Sequence, residues 1–94
     1  MRATKIVVIT NPQGLHARPA DLFVKTATRF TCKIELVKGR ERVDGKSILA
    51  LLTLAAVAGT ELLIEADGPD AEQALEALAK LVEGDFAENE RMRE

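Results

Sequence analysis

The 94-residue chain has no tryptophan and no tyrosine, and its three phenylalanines are the whole aromatic content. Single-stranded nucleic acid is held largely by stacking bases on aromatic rings, so this shortage argues against that partner. Cysteine and histidine occur once each, as Cys32 and His16. A lone thiol forms no internal disulfide, and one Cys with one His does not assemble a zinc site, so neither a metal nor another cofactor is expected. An excess of one charge is also lacking: 13 basic residues face 15 acidic ones, interspersed along the chain, for a net charge of −2. The one-sided basic field that phosphate backbones select is therefore missing, which argues against DNA and RNA. No run approaches the roughly 20 apolar residues of a membrane span, and the apolar stretch after Lys5 is too short for a signal-peptide core. A cytoplasmic chain with no membrane partner is expected.

What the sequence does hold is 47 % hydrophobic residues, mainly Leu, Val, Ile and Ala, enough for one small core. Ile6-Val7-Val8-Ile9, followed by Thr10-Asn11-Pro12-Gln13-Gly14, has the pattern of a buried strand entering a turn. From Ala17 onward Ala20, Phe23, Val24, Ala27 and Phe30 follow helical spacing, with Asp21 early and Lys25 and Arg29 late, as the helix dipole prefers. Cys32, Ile34 and Leu36 alternate with Lys33 and Glu35, and Lys38-Gly39 predicts a hairpin turn into a polar edge strand over 40–44.

Ser47 is placed to cap a second helix with Ile48, Leu51, Leu52 and Ala55 on one buried face, and Gly59 is available for its left-handed end. A fourth strand over 61–66 points Leu62 and Ile64 inward, with Leu63 an apolar exception on the polar side. After Gly68-Pro69, the pair Asp70 and Gln73 suggests a capping box for a third helix striped by Ala74, Leu75, Leu78, Leu81 and Val82 and ending near Gly84.

The order β-α-β-β-α-β-α, with each strand apolar on one face, predicts an α+β fold: an open-faced β-sandwich with a four-stranded antiparallel sheet and three helices on one face. Inserting the last strand between the first two keeps neighbours antiparallel. The domain is expected over 1–84, with a charged extension over 85–94.

The chemistry concentrates in Gly14-Leu15-His16-Ala17-Arg18-Pro19-Ala20, which sets the only histidine at a strand-to-helix junction. At a helix N-cap, unpaired first-turn N–H groups and the positive dipole end favour an anion such as a phosphoryl group. Neutral imidazole is nucleophilic and can attack phosphorus. Arg18 adds a fixed cation with several donors, and Pro19 gives up only an N–H that has no intrahelical partner. Gly14 supplies turn freedom, while Ala17 and Ala20 are small enough to let a partner's active site come close. Lys25 and Lys46 can add positive charge around this site to steer acidic partners. Gly45-Lys46-Ser47 also ends like a phosphate-binding loop, but that pattern needs glycine where Arg40 stands.

The heptapeptide resembles the active-site motif of HPr, the family of histidine-containing phosphocarriers of the bacterial phosphoenolpyruvate:sugar phosphotransferase system. Phe23-Val24, Gly45-Lys46-Ser47-Ile48, Thr53-Leu54, Gly59-Thr60 and the last helix from Asp70 resemble it in order and spacing. The resemblance implies that His16 is phosphorylated on Nδ1 by phospho-Enzyme I and hands the group to an EIIA domain, with Arg18 and the Ala17 N–H steadying it. The chain would then be a carrier, not an enzyme that turns over substrate. Ser47 matches a serine that a dedicated HPr kinase/phosphorylase modifies in some branches, so a regulatory protein acting by binding partners, including one of a nitrogen-linked branch, is the alternative. The family's second helix lies beside the active histidine and contacts partners. Ile48 and Leu52 share the buried stripe expected there, which leaves Leu49 as the better exposed apolar contact. A monomer is expected.

Overall fold

The computed structural model describes residues 1–86. Its elements are β1 (Arg2–Val8), α1 (Ala17–Ala27), β2 (Lys33–Lys38), β3 (Glu41–Asp44), α2 (Ile48–Thr53), β4 (Glu61–Asp67) and α3 (Ala71–Glu83). The sheet runs β1-β4-β2-β3 with every neighbour antiparallel, so the last strand lies between the first two, as the sequence pattern predicts.

Register explains why the core lies on one side. Val7 pairs with Leu62, Leu36 with Ile64, and Ile34 with Ala66. All six side chains are buried, and the three helices close over them together with Phe23, Leu51, Leu54, Leu78 and Val82. The next residues along each strand point the other way. On that open face Arg42 bridges Glu35 and Glu65 at 2.7 and 2.6 Å. Arg42 first, then Arg2, holds the Glu65 carboxyl below the usual carboxylate range.

Several local expectations are corrected. The first strand begins at Arg2 rather than Ile6, and of its seven residues only Val7 is buried. Ile6 is 60 % exposed because β1 is an edge strand with no helix over its outer face. The left-handed residue after α2 is Ala55, at φ 51°, rather than Gly59. The buried side of α2 is Leu51 and Leu54, while Ile48 and Leu52 stay exposed.

Asp70 does sit at the N-cap of α3, yet its side chain caps nothing there. Its two carboxylate oxygens instead accept the N–H groups of Thr31 and Cys32, both at 2.9 Å, where the chain enters β2. Cys32 is buried beside Gly68, where any Cβ would lie 2.7 Å from the cysteine's own. Burial, and then Asp70, push its thiol pKa up, so the thiol is not activated.

Asp85 and Phe86, placed with the charged extension by the sequence, belong to the fold. Both take positive φ, and Phe86 donates its N–H to the Leu81 carbonyl at 2.9 Å and is buried. The rest of the expected extension, 87–94, lies outside the described residues. Among the described residues no helix is long and apolar enough to cross a membrane.

Candidate functional site

Beyond β1 the chain is pinned by Ile9, whose N–H and carbonyl bond Thr60 and Gly59 at 2.9 and 2.7 Å. A turn follows, closed by the Gly14 N–H on the Asn11 carbonyl at 3.0 Å. Gly14 has φ 73°, and a Cβ on it would lie 2.5 Å from the Ala56 carbonyl oxygen. Only glycine permits both that conformation and that approach. The same Ala56 carbonyl takes the Leu15 N–H at 2.8 Å, so the segment after α2 clamps the loop before α1.

His16 follows as the N-cap of α1, in extended backbone, with no capping bond from its side chain. Its N–H is used by the Gly14 carbonyl at 3.1 Å, and its own carbonyl starts the helix by accepting from Ala20 at 2.9 Å. The ring therefore stands exposed at the positive helix end. The Ala17 and Arg18 N–H groups fall in the first turn, where helix geometry supplies no backbone acceptor, and Pro19 has no N–H.

His16 and Arg18 line one open cavity of about 320 Å³ with Asn11, Pro12, Gln13, Pro19, Leu22, Asp85 and Phe86. Ala17 is not in its wall, so the cavity itself brings together a histidine and an arginine at a helix N-terminus, a pair that can hold a tetrahedral dianion and form a bond to it.

The structure sorts the remaining candidates. Ala17 is exposed, but Ala20 is fully buried on the inner side of α1, so it supports packing and does not face a partner. Lys25 pairs with Asp21 at 3.2 Å and lies nine residues, about 13 Å, along the helix from His16. Lys46 donates to the Phe30 carbonyl at 2.7 Å, so neither lysine lines the cavity. Ser47 caps α2 by accepting the Ala50 N–H at 3.2 Å and lies outside the cavity. Leu49 is 77 % exposed, and Ile48 and Leu52, expected in the buried stripe, are exposed beside it.

Sequence reasoning missed Val57, which is exposed and packs its backbone against Gly14. It also missed Asp85 and Phe86 in the cavity wall. A phenylalanine alone in a charged terminus was the available signal for the latter.

The family described as "PTS HPr component phosphorylation site" matches residues 3–84. "Phosphocarrier protein HPr" of Neisseria meningitidis serogroup A is 43% identical over 84 residues, 89% of this chain and 94% of that protein. The crystal structure of HPr-C-His from Thermoanaerobacter tengcongensis superposes with a TM-score of 0.88 at 39% identity, covering 90% of this chain and 96% of that one. Crh of Bacillus subtilis, a catabolite repression protein crystallised as a domain-swapped dimer, follows at 0.72 and 44% identity, covering 84% and 91%. The chain belongs to the HPr family of phosphocarrier proteins.

Proposed function

We propose that the chain carries a phosphoryl group on His16 Nδ1, taking it from phospho-Enzyme I and giving it to an EIIA domain in a phosphoenolpyruvate-dependent sugar phosphotransferase relay. The observation behind this is the exposed, uncapped His16 ring sharing one cavity with Arg18 at the positive end of α1. Neutral imidazole attacks phosphorus as the bond to the donor breaks, and the new N–P bond keeps the group reactive for the return step. Arg18 and the Ala17 N–H hold the phosphoryl oxygens while charge builds on them. No metal or cofactor enters this scheme.

A regulatory reading draws support from the likeness to Crh and from Ser47 at the N-cap of α2. Phosphate placed there by an HPr kinase/phosphorylase suits the helix dipole and would act by repelling acidic partners.

One experiment separates these readings: incubation with Enzyme I and phosphoenolpyruvate, then intact mass, for wild type, His16→Ala and Ser47→Asp. The carrier reading expects one acid-labile phosphoryl group, absent from His16→Ala. Folded wild type that stays unmodified with several Enzyme I sources would leave binding through Ser47 and α2 as the function. Unimpaired transfer by Ser47→Asp would remove the regulatory role of Ser47. We expect the carrier to be a monomer, and sedimentation of the same sample reads this directly.

A further inference from the structure

Asn11 is the one buried polar or charged side chain among the described residues, 9 % exposed in the wall of the His16 cavity. A buried amide is costly unless every polar atom is bonded, and here the bonding is incomplete. Its Nδ2 donates to the Gly14 carbonyl at 2.8 Å, whereas its Oδ1 accepts nothing among the described residues. An apolar residue of similar size would avoid that cost, so stability alone gives no reason for an amide here.

The Gly14 carbonyl supplies one. It takes two donors, Asn11 Nδ2 and the His16 N–H, while the Gly14 N–H returns to the Asn11 carbonyl. Asn11 thus grips both polar groups of Gly14, and Gly14 in turn holds the backbone of the N-cap. With Ala56 closing the loop from the other side through Leu15, the peptide that carries the His16 ring has little freedom left.

We propose that Asn11 is a positioning residue for phosphoryl transfer: its amide fixes the Gly14 carbonyl, and through it the His16 N-cap, so that the ring and the first-turn N–H groups of α1 address one phosphoryl group. This rests on the carrier reading of His16. Misplacing a nucleophile by about an ångström is enough to cost up to a hundredfold in rate.

The test uses the full chain with Asn11→Ala, Asn11→Asp, which keeps the shape but replaces the donor with an acceptor, and Asn11→Ser, which restores a short donor. Two readouts are taken on each: kcat and KM for phosphoryl transfer from phospho-Enzyme I, and hydrogen exchange of the His16 and Gly14 amides by NMR. We expect kcat to fall roughly tenfold or more in Ala and Asp with KM within about twofold, partial recovery in Ser, and at least tenfold faster exchange of the His16 amide. Wild-type kcat in Asn11→Ala, or a loss confined to KM, would overturn the proposal. So would unchanged exchange at His16. Should wild type accept no phosphoryl group, the carrier reading fails, and the exchange measurement still decides whether Asn11 orders the loop.

Discussion

Leu49 is 77 % exposed although Leu51 and Leu54, two and five residues on, are 0 % and 1 % exposed. Such a leucine contributes little to folding, and beside the exposed Ile48 and Leu52 it makes a patch of the kind transient partners use. Leu49→Asp is therefore expected to leave stability within about 0.5 kcal/mol of wild type while raising the KM for phospho-Enzyme I roughly tenfold. Unfolding of the variant would show a packing role, and an unchanged KM would show that the patch is not the contact. The placements of His16 at the N-cap of α1, Arg18 in its first turn and Leu49 on the outer side of α2 were legible in the sequence because they depend on local spacing. Ala20 was misread and Asn11 passed over for the opposite reason. Whether an alanine of α1 is covered depends on what packs over it from elsewhere in the chain, and whether an amide finds a carbonyl three residues on depends on how the loop between them folds, and no periodicity encodes either.

Among the elements, strands and helices were legible from their periods of 2 and 3.6, and the insertion of β4 between β1 and β2 from the one-sided strand pattern. The ends were not, because caps answer to competing donors. Asp70 shows how: the Thr31 and Cys32 N–H groups at the entry to β2 capture the carboxylate that α3 would otherwise use. The Thr31 N–H is the main cause holding the Asp70 carboxyl below its ordinary value. A carboxyl depressed in the folded state adds stability that is present above its unfolded pKa, about 3.9, and is lost as pH falls through the folded value. Asp70→Asn should accordingly lower the Tm at neutral pH, with the gap closing below about pH 4. Comparing the two proteins cancels the similar acid dependence of Glu65. A gap that stays constant down to pH 2 would show that the charge on Asp70 is not what ties α3 to β2.

At the scale of the whole molecule, the segment that follows β1 and the segment that follows α3 meet at the His16 cavity. The Thr10 hydroxyl bonds Asp85, 75 residues on, and Phe86 forms cavity wall beside Pro19 and Leu22. The site therefore depends on closure of the chain after α3 as well as on its own heptapeptide. The sequence concealed this because 85–94 is dominated by charge and reads as an appendage. Phe86 is only 4 % exposed, and removing a buried phenylalanine side chain costs about 3–5 kcal/mol. Relief of its left-handed backbone, at φ 62°, returns none of that in Phe86→Ala, since alanine is disfavoured there too. For a domain of this size the loss corresponds to a Tm lower by on the order of 10 °C or more, in one cooperative transition, if the segment after α3 is part of the same folding unit. Calorimetry of full-length Phe86→Ala beside wild type measures it, and an unchanged Tm would place the end of the folding unit at Gly84 and leave the cavity wall without structural weight.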